Sequence, residues 1–245
     1  MKVRLMITLV TVGLGWTTQL NAAPRDRATI DNAIDVLDAM IEARQFKMPP
    51  ALLRDCHAVI IAPDVVKGGF LVAGRHGHGV MLIRNKDGWT NPIFITITGG
   101  SFGFQAGVSA TDVFLVIRNQ KSLDRILKGN GKLTLGADAA VAAGPIGKQL
   151  SAATDAQMRA EILSYSHSRG IFAGVALDGD TLLIDWQAND RFYNKRDVTV
   201  TDIVGGKVNA PEKVVTLYDR LGRLGASEET SPKAPPAKLE GPRIP

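Results

Sequence analysis

The chain has 245 residues, with 29 Lys and Arg against 24 Asp and Glu, a formal charge of +5 and a pI near 9.4. With 45% hydrophobic and 22% charged residues it is composed like an ordinary globular protein, which excludes a wholly disordered chain, a collagen-like rod and a coiled coil. The single cysteine, Cys56, excludes an internal disulfide framework and any multi-cysteine zinc or iron–sulfur site.

Residues 1–23 have the layout of a secretory signal. Lys2 and Arg4 open it, an apolar run from Leu5 to Trp16 follows, and Asn21-Ala22-Ala23 supplies small residues at a cleavage point. The apolar run is too short to cross a hydrocarbon layer of about 30 Å as a helix. The expectation is export to the periplasm or beyond, with no transmembrane span after cleavage. Lys2 and Arg4 take two charges with them, leaving +3.

The next element is a helix, with Ile30, Ala33, Ile34, Leu37, Met40 and Ile41 at three- and four-residue spacing, closing before Met48-Pro49-Pro50. A short second helix covers Ala51–Cys56. Then the period changes, and six short strands are expected: His57–Ala62, Gly69–Arg75, Gly79–Arg84, Ile93–Thr98, Phe102–Val108 and Val113–Ile117. Ten of the 25 glycines fall between Gly68 and Gly107, and glycine inside strands marks bulges, bends or close backbone approach. A helix Gln120–Lys128 follows, then strand-like pieces near Lys132–Ala139, Gly170–Leu177 and Thr181–Gln187. A last helix covers Pro211–Leu224. Strands in runs point to an α+β fold: a strongly curved, glycine-rich antiparallel sheet, partly closed into a barrel and flanked by helices at both ends. The domain is bounded at 24–225. Residues 226–245, with prolines at 232, 235, 236, 242 and 245, read as a disordered tail.

Three patterns tempt an enzyme or metal reading. Gly99-Gly100-Ser101-Phe102-Gly103 fits G-x-S-x-G, and His167 is the one histidine downstream of it. A nucleophile elbow needs strand–turn–helix, and the residues after Ser101 read as more strand. Gly144-Pro145-Ile146-Gly147-Lys148 resembles the end of a P-loop, but Ala142 and Gln149 stand where Gly and Ser or Thr are required. His76-Gly77-His78 would place two imidazoles on one face of a strand, with no third ligand at familiar spacing. None of the three supports a catalytic, nucleotide or metal site.

Charge is more informative. Lys121, Arg125 and Lys128 fall on one side of the 120–128 helix, opposite Leu123, Ile126 and Leu127, with Arg118 and Lys132 flanking. Such a stripe suits anionic phosphates at a membrane, at about 1 kcal/mol per cation. Lys67 and Lys148, beside glycine turns, form a second expected cluster, because exposed backbone N–H groups and a cation together hold phosphate. The first helix is acidic on its polar face, through Asp31, Asp35, Asp38 and Glu42, which argues against its docking alone to anionic lipid. Few aromatics and a modest charge argue against nucleic acid.

From Ala62 to Tyr193 the chain resembles the SYLF family, also called the Ysc84 family, of bacterial envelope and eukaryotic membrane-trafficking proteins. The matching residues include Lys67-Gly68-Gly69-Phe70, Trp89 with Pro92, Gly99 through Gly107, Thr111-Asp112, Leu135-Gly136-Ala137-Asp138 and Ala142 through Gly147. They continue with Ser164-Tyr165-Ser166, Gly170 through Val175, Asn189 and Tyr193. The resemblance implies binding of phosphoinositides or other anionic phospholipids, actin binding in yeast members, and no catalytic residues or cofactor. The expected function is a non-enzymatic lipid-binding protein of the bacterial envelope. The alternatives are a protein-interaction or structural envelope module and, last, a hydrolase built on Ser101 and His167.

Overall fold

The computed structural model describes residues 23–43, 48–146, 157, 159–168, 170–175 and 177–226, with side chains except at 23–24, 70–72 and 101–106. The signal-like segment before Ala23, Lys148 and the tail after Ala226 lie outside the described residues. The elements are α1 (Ala23–Glu42), α2 (Pro50–Arg54), β1 (Ala58–Asn85), β2 (Gly88–Trp89), β3 (Ile93–Ile117), α3 (Gln120–Lys128), β4 (Lys132–Thr134), β5 (Val141–Ala143), β6 (Ile162–Ser168), β7 (Ile171–Gly174), β8 (Thr181–Ile184), α4 (Trp186–Phe192), α5 (Val200–Val204) and α6 (Lys213–Ala226).

The six expected short strands are two long ones. β1 and β3 pair antiparallel from Ala58 opposite Ile117 to Met81 opposite Ile93. The glycines that read as breaks sit inside this ladder, and the one true break is the turn after Asn85, whose side chain accepts from the Asp87 N–H at 2.9 Å. A register shift falls between Ala62 and Val65, at Pro63-Asp64. Pro63 has no N–H for a ladder, and Asp64 takes a left-handed φ of 48°. Its N–H goes to Asp112 Oδ1 of β3 at 3.0 Å, so the bulge is stapled to the partner strand.

The β1–β3 hairpin curls until β1 meets itself. A Cβ at Gly79 would lie 2.4 Å from the Ile61 carbonyl oxygen, so the two halves of the strand approach backbone to backbone there. The two ends of β3 take different partners: Ile95–Thr98 pair with β8, and Asp112–Ile117 pair with β6. β4 extends the sheet beyond β8, and β7 pairs with β6. β5 runs parallel to β6, the one departure from the expected antiparallel order. The result is an eight-stranded half-barrel with helices at both ends of the chain, an α+β fold as expected.

Both faces of the curled sheet are covered, by alternate residues of the same strands. Ile60, Ala62, Met81, Ile95, Leu115 and Ile117 face one core, shared with Leu123 and Ile126 of α3 and Ile203 of α5. Val59, Ile61, Val80, Leu82, Phe94, Phe114 and Val116 face the other, under α1, α2 and α6. The acidic face of α1 is answered by cations: Asp38 pairs with Arg220 and Asp31 with Lys213, both on α6. Buried Asp26 receives Arg191 of α4 through two bonds of 3.0 Å. Two helices were not expected. The piece read as strand to Gln187 ends at Ile184, because Asp185 caps α4 by accepting from the Ala188 N–H at 2.9 Å. α5 is opened by a capping box of Thr199 and Asp202.

Candidate functional site

The basic helix α3 forms where expected. Asn119 caps it, its side chain accepting from the Lys121 N–H at 2.8 Å. Leu123 and Ile126 are fully buried, which fixes the helix rotation and turns Lys121 and Lys128 to solvent. The last turn carries Arg125 and Lys128, favourable at a helix C-terminus. The stripe is partly neutralised within the protein. Lys128 Nζ lies 2.9 Å from Asp124 Oδ2, which together with a Gln120 hydrogen bond holds the Asp124 carboxyl below its ordinary range. Arg125 lies 3.9 Å from Glu161, itself the acceptor of the buried Ser122 hydroxyl. Lys121 and Lys132 are exposed and have no ion pair among the described residues. Arg118 is not part of the stripe: its guanidinium donates to the carbonyls of Gln157 and Ala160 at 3.0 and 3.3 Å and holds that segment to the sheet.

The second expected cluster, Lys67 with Lys148, falls only in part on the described residues. Lys67 lies within the β1 ladder opposite Ser109, and Gly68-Gly69 continue the strand, so no open turn of N–H groups stands beside it. Its charge acts instead on Asp180, on the approach to β8, whereas α3 packs on β3, β4 and β8. Lys148 lies outside the described residues.

Of the tempting motifs, the described residues show the following. Ser101 lies mid-strand opposite Ala73, without the strand–turn–helix of an elbow, and Gly99 leaves room for a carboxylate: a Cβ there would lie 1.7 Å from Asp180 Oδ1. Asp180 is 3% exposed and ion-paired to Arg75 of β1. Burial raises its carboxyl, and the Arg75 guanidinium opposes that. His167 is held by Asp112, Nδ1 to Oδ2 at 2.9 Å, and stacks on Phe172 at 4.2 Å, a pair that sequence reasoning missed. Gly144 is a packing glycine. The Tyr165 ring covers it so closely that a Cβ would come within 2.1 Å, and Ala142–Ala143 before it are strand β5 and not a phosphate loop. The rings of His76 and His78 are 5.0 Å apart, but His78 Nε2 takes a bond of 2.7 Å from Arg25. No group of three or more His, Cys, Asp or Glu is placed to hold a metal among the described residues.

Two other matched residues are clamps. Asn189 is fully buried and stands in for a strand. Its Oδ1 accepts from the Phe94 N–H at 2.9 Å, and its Nδ2 donates to the carbonyls of Phe94 and Asp185. The Tyr193 hydroxyl donates to the Pro92 carbonyl at 2.6 Å. Both pin α4 to the start of β3. No helix among the described residues is long and apolar enough to cross a membrane.

The Ysc84 family model, described as a Las17-binding protein actin regulator, matches residues 98–224. SH3 domain-containing YSC84-like protein 1 of Rattus norvegicus is 36% identical over 168 residues, 68% of this chain and 49% of that protein. The Homo sapiens protein of that name is 36% identical over 159 residues, 64% and 46% of the two chains. LAS seventeen-binding protein 3 of Saccharomyces cerevisiae is 32% identical over 207 residues, 81% and 44%. The chain thus spans about half the length of these relatives, and no solved structure matches it.

Proposed function

The chain belongs to the Ysc84 family, and on that premise we propose that it is an exported, peripheral binding module of a bacterial envelope whose ligand is an anionic phospholipid surface. The observation that carries the reading is the orientation of α3. Its apolar side is locked into the core, and Lys121 and Lys128 stand outward beside Lys132, with Arg125 at the margin. A membrane contact through this face is electrostatic, with about 1 kcal/mol for each cation near an acidic surface. Lys121 and Lys132, which have no ion pair among the described residues, contribute most. Lys128 and Arg125 contribute less, because a membrane phosphate must displace Asp124 or Glu161. The family's names describe binding and not catalysis, and Gly99 and Gly144 are glycines required by packing against Asp180 and Tyr165.

Flotation with vesicles of neutral phosphatidylcholine, with and without phosphatidylglycerol, tests the reading. Binding is expected only with the anionic lipid and falls with salt. Lys121→Glu with Lys132→Glu weakens it by roughly tenfold or more, and Lys128→Glu by less. Equal flotation with both vesicle types would sink it.

A second reading is favoured by the relatives' names, which attach the family to Las17 binding and actin regulation. In that case the module binds a protein. A stable protein partner retained by the chain, with no flotation on either vesicle, would favour it.

A further inference from the structure

A cleft of about 430 Å³ opens between the first half of α1, the end of α4 and the start of α6. That is within the size range of small-ligand pockets, about 300–1,000 Å³. Its floor is apolar, with Ile30 and Val214 buried beneath it. Phe192 forms a preformed wall, its ring held 4.8 Å from that of Phe94 and edge-on to Tyr193 at 5.0 Å. The rim is charged. Arg27 stands one turn before Ile30 and Asp31 on α1, so the three share a face. Lys213, the first residue of α6, is ion-paired to Asp31. Arg27 is exposed and has no ion pair among the described residues. Two cations against one acid leave the rim a single positive charge, carried by Arg27.

An apolar floor under one unanswered guanidinium suits a molecule with a single negative charge on an alkyl chain. A carboxylate matches the guanidinium fork through two parallel hydrogen bonds, whereas a phosphate monoester brings a second charge that this rim does not answer. We propose that the cleft is a binding site for a single-chain carboxylate amphiphile, a fatty acid anion, with its carboxylate on Arg27 and its alkyl chain over Ile30, Val214 and Phe192. The cleft is separate from the α3 face, since α3 packs against one core of the sheet and α1 and α6 against the other. Binding here is therefore independent of any membrane contact through Lys121 and Lys132. A bound fatty acid would bridge α1, α4 and α6.

Calorimetric titration of the full-length chain with decanoate, below its micellar concentration and without vesicles, tests the site. One saturable site is expected, with affinity rising up to about fourfold for each methylene from octanoate to decanoate. Decanol, which lacks the charge, should bind roughly tenfold more weakly. Arg27→Glu, at an exposed helix position, should weaken decanoate binding by roughly tenfold or more. The same variant should bind decylammonium more tightly than the parent does, an inversion of preference that misfolding does not produce. Lys121→Glu with Lys132→Glu should leave decanoate binding within about twofold of the parent, because the two faces are distant and share no partner. Decanol bound as tightly as decanoate overturns the proposal, and so does decanoate binding that Arg27→Glu leaves unchanged. Loss of decanoate binding in the α3 variant assigns the ligand to that face instead. Decyl phosphate bound more tightly than decanoate assigns the cleft to a phosphate headgroup. Each of these outcomes, like the absence of saturable binding, overturns the proposal.

Discussion

The two ends of the β1–β3 hairpin and its middle are the same two strands in different surroundings. At the ends, Ala58–Ala62 and Val80–Ile83 with Phe94–Ile95 and Val113–Ile117 are buried on both faces, and third strands pair with β3. In the middle, among the described residues, no third strand pairs with β3 between Thr98 and Asp112, and Val66 and Val108 are 45% and 81% exposed. Backbone pairing is common to both regions, so pairing alone does not give the fold its stability. What distinguishes the ends is side-chain burial, and the middle is the place where the sequence supplies glycine in its stead.

Three measurements can break or sharpen this contrast. Phe114→Ala removes a fully buried ring that packs against Tyr165 under α1 and α6, and it should cost about 3–5 kcal/mol in urea denaturation. A loss below about 1 kcal/mol would show that the ends are no better packed than the middle. His78, at the border of the two regions, gives a smaller, pH-dependent effect. Burial first, then Arg25 and His76, hold its imidazole below its ordinary value of 6.5, against Asp185 and Asp26. Arg191 also lines its pocket. A depressed folded value means that neutral His78 contributes stability above about pH 6.5, lost as pH falls toward the folded value. The midpoint of the parent should therefore fall between neutral pH and pH 5, and His78→Gln should lose that component. Val108→Ser, in the middle, should stay within about 0.5 kcal/mol of the parent.

The sequence made the helices legible where one face was strongly apolar. α3 has its expected bounds, α1 contains the expected Ile30–Ile41 pattern within Ala23–Glu42, and α6 begins two residues after Pro211. It also made legible the curvature, through the crowding of glycine, and the class of fold. It did not show that six strands were two, because glycine ends a strand only where the backbone turns, and most of these glycines stay extended. α4 was hidden because Trp186 and Gln187 continue the β-like pattern of Thr181–Ile184, whereas Asp185 acts as a cap only through its bond to Ala188. Thr199 and Asp202 at capping-box spacing were a readable signal for α5. At the candidate site the basic stripe of α3 was legible from spacing. Its neutralisation by Glu161 was not, since that residue lies 36 positions from Arg125 and reaches it only through the β3–β6 pairing. The same holds for Arg75 with Asp180 and for Asp112 with His167: each is a long-range pair with no local pattern.

The single long hairpin also dictates an order of assembly. The turn after Asn85 is its short connection, so zipping is expected to start where Asn85 meets Gly88 and Arg84 meets Trp89, and to proceed through Met81 and Ile93 away from the turn. On that order Ala58 meets Ile117 after the glycine-rich stretch is fixed, and glycine gives up more backbone freedom on ordering than any other residue. That stretch is an entropic bottleneck between an early half and a late half. Contacts so distant along the chain place the protein among slow folders. Until the late half closes, Val59, Ile61, Phe114 and Val116 are left without the cover of α1 and α6.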